Sequence, residues 1–477
     1  MLTDLKFLEV GQPFPPTSET ERINNYHDYK KLFEGKHSDV YQHQFQRIKR
    51  INNGYTDIVS YDIILNYHQL ITKKTADLLV GEPPRITVQD KNKQKILDEI
   101  MSKNDVLNLM YIVAIDVSRY GVGLFYIYKE ANKGVIDVTQ PAIWFPILNP
   151  RNIRKIQYHV LCIPVITNEK RGEIELFCEI HERGKYTIKH FLLKNGVIAK
   201  EFNDEKVIET GLDDFAVIPV TNLVTSDNIF GISDYDAIDT LVSELEVRFS
   251  QISKILDKHA EPSMQGPSSA LTYDKKTGTY SLKTGNYFIV EGTDGKVSYL
   301  TWDAQLNANF EYIKELQNAL YTLSEMGGTL LGDKENVNGN ISGIAYKLKM
   351  ETALQKVSRI RNSMDTAIRK AISACAKLDG YDIDENELII EWKDGLVDDE
   401  REQAEIMRIK NGNKPVISHV TSIMMANDMT REEAEEEYQR ILQEEMEANP
   451  LNIPNPHLYE NEEGLEEAEE EINKETE

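Results

Sequence analysis

Between residues 233 and 259 the apolar positions Ile238, Leu241, Leu245, Phe249, Ile252 and Ile255 recur at intervals of three and four. That spacing lays one stripe along an α-helix. Residues 305–331 repeat the pattern through Leu306, Phe310, Ile313, Leu316, Leu320 and Leu323. Each run predicts an amphipathic helix of 27 residues, about 40 Å long at 1.5 Å per residue. The stretch between them, 261–304, has no helical period. There TYSL, YFIV and VSYLTW are separated by Lys276-Thr277-Gly278, Gly285-Asn286 and Asp294-Gly295, the punctuation of β-hairpins. Two long helices of equal length therefore hold a small β module at their far end.

A third and longer stripe, Ile344, Leu348, Leu354, Val357, Ile360, Met364, Ile368, Ile372 and Cys375, predicts a helix over 342–378. The loop before it, 332–341, is rich in asparagine and glycine. Upstream, 18–80 reads mainly as helix and ends at Gly81-Glu82-Pro83-Pro84, where two prolines stop it. Residues 85–230 alternate short helix and strand signals, with β-branched and aromatic runs at 121–128, 174–180, 186–193 and 216–224. A strand, ELIIEW, and a helical region over 398–447 complete the map. The class expected is α+β.

Charge adds a constraint. With 54 Lys and Arg against 79 Asp and Glu, the formal net charge is −25, the wrong balance for a protein that grips nucleic acid through phosphate contacts. Residues 431–477 hold 18 acidic and three basic side chains. Beyond Asn449 that tail lacks the apolar surface needed to order itself. The predicted 342–378 helix runs the other way, with eight basic residues against Glu351 and Asp365. Three separated cysteines, Cys162, Cys178 and Cys375, exclude a cysteine-rich zinc module and a disulfide framework and fit a reducing compartment. No secretory signal and no uninterrupted membrane span is visible, so a soluble chain made inside the cell is expected.

Short motifs fail on inspection. Gly327-Gly-Thr-Leu-Leu-Gly332 has phosphate-loop spacing, but Asp333 stands where the lysine must be. Gly231-Ile-Ser233 lacks the second glycine of a nucleophile elbow, and Ser233 or Asp234 reads as an ordinary helix cap. His259-Ala-Glu261 has no PCxxC to complete a zinc site. A calcium loop from Asp333 fails at Val337. No catalytic constellation, metal site or cofactor is expected, and the chain is read as not an enzyme.

The order of these parts resembles the phage portal protein family, in particular the SPP1-like portals of tailed phages infecting Gram-positive bacteria. The resemblance runs over roughly residues 20–430. It rests on LFEGKH (32–37), LLVGEPP (78–84), RYGVGLFYIY (119–128), FGISDYDAIDTLVSELE (230–246), GNISGIAYKLKM (339–350), KDGLVDDEREQAEIMRIKNG and KPVISHVTSIMM. The resemblance implies a ring, a dodecamer, at one capsid vertex through which double-stranded DNA passes without sequence specificity. It implies a wing from 1–232 and 341–396, stem helices 233–260 and 305–331, a β-rich clip 261–304, a tunnel loop 332–340, and a helical crown 397–447 before the acidic tail 448–477. The partners implied are the large terminase subunit, a head–tail adaptor, and the major capsid and scaffolding proteins, with location in the virion after assembly in the host cytoplasm.

A passage for sliding DNA should repel phosphate rather than hold it. The stem carboxylates Asp234, Asp236, Asp239, Glu244, Glu246, Glu311, Glu315 and Glu325 are the candidates for that lining. Asp333, Lys334, Glu335, Asn336, Asn338 and Asn340 are the candidates for loop contact with DNA. The basic face Lys347, Lys349, Lys356, Arg359, Arg361, Arg369 and Lys370 is the candidate for pairing with neighbouring subunits. A helical scaffolding or head-interior protein without a channel is the alternative, although coiled-coil scaffolds need neither the β module nor the α+β region.

Overall fold

Helix starts in the first part of the chain follow local capping. After α1 (Thr20–Phe33) and the short α2 (His37–Val40), Asn66 accepts the Gln69 amide at the head of α3 (Tyr67–Val80). Asp90 accepts the amides of Asn92 and Lys93 at the head of α4 (Lys91–Lys103). Both satisfy N–H groups with no partner inside the helix. Helix α5 (Val106–Tyr120) ends on Gly121, whose φ of 81° is the left-handed closure glycine favours. In this computed structural model the described residues are 1–41, 63–168, 173–260, 264–274, 279–281, 287–290, 296–299, 306–332, 347–393, 409, 418–427 and 429–448. They fall in two compact units, Met1–Leu396 and Val397–Glu477.

The first unit is organised by two antiparallel sheets. Strand β2 (Val122–Glu130) lies between β3 (Lys133–Thr139) and β10 (Val217–Thr221). Its buried side packs on α9 (Glu351–Leu378), where Val357, Ile360, Met364, Ile368, Ile372 and Cys375 meet Phe125, Ile127 and Ile136 in one cluster. The larger sheet runs β4 (Trp144–Asn149), β5 (Asn152–Asn168), β6 (Glu173–His181), β7 (Lys185–Lys194), β8 (Val197–Glu201), with β9 (Lys206–Glu209) also on β7. It encloses Phe145, Ile147, Val160, Cys162, Leu176, Cys178, Phe191 and Leu193 beneath Phe7 and Leu8. A small pair joins β1 (Arg85–Thr87) to β16 (Ile389–Glu391), which lies within the expected ELIIEW strand.

Strand β5 escaped the periodicity reading because Pro164 interrupts its apolar run. The structure shows why proline is tolerated there: β4 pairs only up to Leu161, so among the described residues β5 is bonded beyond it on the β6 side alone. A missing N–H on an open edge breaks no ladder bond.

The long helices are real but shorter than their stripes. Helix α6 covers Asp239–Ala260 and α7 Leu306–Leu323. Residues 234–238 form turns, because Ser233 and Asp234 are drawn into side-chain bonds described below. At the other end Glu325 and Gly327 take left-handed φ of 59° and 69°, breaking α7 from the short α8 (Gly327–Leu331). That short helix occupies the segment with phosphate-loop spacing. Between α6 and α7 the expected hairpin at 276–278 is flanked by β12 (Thr272–Asp274) and β13 (Thr279–Ser281), paired antiparallel. Among the described residues the other two runs do not pair with each other. Both β14 (Tyr287–Ile289) and β15 (Ser298–Tyr299) flank β11 (Met264–Gly266), β14 in parallel, so the central strand is one that carried no hairpin signal. The predicted loop residues 333–340 and the head of the third helix, 341–346, lie outside the described residues, as do 42–62 and 449–477. In the second unit α10 (His419–Asn427) and α11 (Arg431–Ala448) meet through a His419–Tyr438 stack, with Ala434 buried.

Buried His159 makes the larger sheet acid-sensitive. Its Nδ1 accepts the Trp144 indole N–H at 3.1 Å, and its ring packs on Phe215. Burial, reinforced by His181, pushes its pKa down to about 3. Because the unfolded ring titrates near 6.5, this contribution is complete above that pH and is lost as pH falls toward 3; by pH 5 about 2 kcal/mol is gone. Urea unfolding at pH 7 and pH 5 should show His159→Gln flattening the pH dependence by about that amount. Equal slopes in variant and parent would remove His159 as the cause.

Candidate conduit surfaces and the buried hub beneath them

The two long helices enter the rest of the fold at one buried ion pair. Asp234 Oδ1 lies 2.9 Å from Lys356 Nζ, with both side chains about 5% exposed or less. The same carboxylate accepts Ser118 Oγ of α5 at 2.6 Å, Thr75 Oγ1 of α3 at 3.3 Å and Asn222 Nδ2 at 2.9 Å. Lys356 also donates to the Ser324 carbonyl at 3.1 Å, just past the end of α7. One charge pair thus joins the approach to α6, the exit from α7, and helices α3, α5 and α9. It follows that α6 and α7 run antiparallel from a common root. Ser233 supports the arrangement by donating to the Arg119 carbonyl and accepting the Tyr235 amide.

Backbone reaches the same place. Gly231 has φ of 76°, and a Cβ there would stand 2.2 Å from the Gly121 carbonyl oxygen. Gly121 in turn would place a Cβ 2.8 Å from the Gly231 carbonyl carbon. Two of the motif segments, 119–128 and 230–246, therefore touch glycine to glycine, a contact only residues without side chains allow.

A second cluster grips the first turns of α6. His37 Nε2 donates to the Leu32 carbonyl at 2.9 Å, while Nδ1 faces Glu246 Oε1 at 2.6 Å. Leu65 N–H donates to the same oxygen. His68 Nε2 lies 3.3 Å from Asp239 Oδ1, and Tyr41 donates its hydroxyl to that carboxylate. Burial outweighs Asp239 and holds the His68 pKa below its ordinary value. Burial, then Asp239, raises that of Tyr41.

These contacts sort the candidate residues. Asp234 and Glu246 are interior, 7% and 1% exposed, and so are corrected from lining carboxylates to internal anchors. Asp236 accepts the Tyr29 hydroxyl, and burial raises its pKa. Asp239 belongs to the histidine cluster, Glu244 pairs with Arg248 on the next turn, and Glu325 pairs with Arg359. Glu311 and Glu315 stand exposed on α7. The loop candidates Asp333, Lys334, Glu335, Asn336, Asn338 and Asn340 lie outside the described residues.

The basic helix is used largely within the chain, which corrects its reading as one intersubunit face. Lys356 is interior, and Lys370 lies 3.7 Å from Asp214. Arg369 holds Asp365 and the Leu388 carbonyl, and Arg361 donates to the Lys393 carbonyl with its guanidinium over Trp392. Lys347 and Lys349 are exposed. Sequence reading missed the partnership of Lys356 with Asp234. A signal was present: Lys356 falls three after Ala353 and four before Ile360, inside the buried stripe.

A family model described as phage portal protein, SPP1 Gp6-like, matches residues 16–451. The chain belongs to the phage portal protein family. No curated protein matches it. Among solved structures, the neck of a native gene transfer agent particle computed with C12 symmetry is 10% identical, covering 74% of this chain and 88% of that one, with a TM-score of 0.40. The virion of the native gene transfer agent particle gives 10%, 76% and 89%, with a TM-score of 0.43. Portal family membership rests on the family match, and the α+β architecture agrees with it.

Proposed function

We propose that this portal family member forms the ring-shaped DNA conduit at one capsid vertex of a tailed phage, serving genome packaging, retention and ejection. Its location would be the virion, after assembly in the host cytoplasm. The observation that carries the reading is the family match over residues 16–451. Surface chemistry supports it. On α7, Phe310, Tyr312 and Leu323 are 45–53% exposed, and on the β module so are Phe288, Ile289, Val297 and Tyr299, at 48–57%. Exposed apolar residues of that kind on a two-helix hairpin and its β module gain by packing on further copies of the same chain. The assignment of wing, stem, clip, tunnel loop and crown follows the boundaries given above.

In that ring Glu311 and Glu315 face the passage and keep phosphates from sticking, loop 332–340 brushes the DNA, and Lys347 and Lys349 meet acidic surfaces of adjacent subunits. A terminase motor docks at the clip end and supplies the energy for translocation, later replaced by a head–tail adaptor, while capsid and scaffolding proteins surround the wing.

Native mass spectrometry with negative-stain imaging of the untagged protein tests this. Closed rings of about a dozen copies with a central hole are expected. Phe310→Glu should reduce ring yield several-fold while leaving the monomer folded. A stable elongated dimer or trimer from the parent protein would instead favour a channel-free scaffold.

A further inference from the structure

Two thiols face each other in the larger sheet. Register sets Cys162 of β5 directly opposite Cys178 of β6, with the sulfurs 3.0 Å apart. Both are free and fully buried. Opposed residues in an antiparallel pair hold their Cβ atoms about 4.5–5.5 Å apart, and a disulfide needs about 3.5–4.5 Å. The closing distance is therefore small, within reach of side-chain rotation and a slight local approach of the strands. Val160, Leu176, Ile180, Phe191 and Leu193 surround the pair. Burial raises the Cys162 thiol pKa well above its ordinary value, and the neighbouring thiol adds to this. Cys375 sits in the other core cluster, on α9, away from both.

We propose that Cys162 and Cys178 are an oxidation site, a cross-strand dithiol that a small neutral peroxide closes to a disulfide, stapling β5 to β6. When a brief local opening of the strands lets one thiol ionise, its thiolate attacks a peroxide oxygen. The O–O bond breaks, and the departing oxygen leaves as water with the proton released from that thiol. The sulfenic acid so formed is attacked by the second sulfur. The S–S bond forms as the S–O bond breaks, and the second thiol's proton leaves with that oxygen as another water. Two thiols lose two electrons and one peroxide gains them. With both thiols buried in that apolar cluster, peroxide reaches them only during such openings, and a bulky reductant is held off for as long as the strands stay paired. The chemistry is independent of ring formation.

The test treats the folded full-length protein with hydrogen peroxide, removes the excess with catalase, and alkylates in urea before peptide mass analysis. A Cys162–Cys178 cross-linked peptide, two hydrogens lighter than the reduced pair, is expected, with Cys375 alkylated. The thermal midpoint of the oxidised protein should rise by about a few degrees, and Cys178→Ala should abolish both effects. Full alkylation of Cys162 and Cys178, sulfinic acid without a cross-link, or a cross-link with no rise in midpoint would each overturn the proposal. Because the decisive readout is made on the parent chain, a poorly folding variant does not spoil it.

Discussion

Lys356→Met is expected to lower the free energy of the main unfolding transition by about 3–5 kcal/mol, the cost of leaving one partner of a buried pair alone. Asp234 would keep Ser118, Thr75 and Asn222 as donors, which places the loss toward the lower end of that range. The Ser324 carbonyl would also lose its donor, loosening the exit from α7. Adding Asp234→Asn to Lys356→Met should recover at least about 1 kcal/mol, because the uncompensated charge is then gone. Urea titration of the parent, the single and the double variant gives all three values. A single variant within about 1 kcal/mol of the parent would mean that water reaches the pair and that its burial contributes little.

Gly231→Ala should be nearly as damaging, at about 3 kcal/mol. The methyl would meet the Gly121 carbonyl oxygen at 2.2 Å, and alanine would also be held at a left-handed φ, each costing about 1–3 kcal/mol. The Gly121 carbonyl already accepts the Asn222 amide at 2.8 Å, so it cannot simply turn away. Gly11 offers the control: it has φ of 93° with nothing near its Cβ position. Gly11→Ala should cost only the conformational part, about 1–2 kcal/mol. Thermal unfolding of the two variants side by side separates clash from backbone strain. Equal losses would show that the glycine contact gives way freely.

What could be read from sequence depended on how local its cause was. The stripes of α6, α7 and α9 were legible because 3.6-residue periodicity is a property of consecutive residues. Their ends were not. Helix α6 starts late because Asp234 is bonded to side chains from four other parts of the chain, and α7 stops early because Glu325 adopts a left-handed turn. The carboxylates of the two helical stripes looked alike in sequence, yet His37, carried by a distant segment, makes Glu246 an internal anchor while Glu311 stays exposed. The basic helix misled for a related reason. Net charge along a segment says nothing about acidic partners such as Asp214, which the fold brings within reach. Parallel pairing of β11 with β14 was likewise invisible, since turn residues announce only neighbouring antiparallel strands.

Pro164 bears on how the larger sheet would meet another copy of the chain. The outer half of β5 presents Ile163, Val165 and Ile166, 40–68% exposed, along an unpaired border of the sheet among the described residues. Such a border is a template on which a second molecule can extend the ladder, and from there a third. A ring nitrogen without hydrogen removes one rung in the middle of that template and keeps every incoming strand a bond short. A copy of this chain that approached along β5 would thus meet a border that resists extension of the sheet.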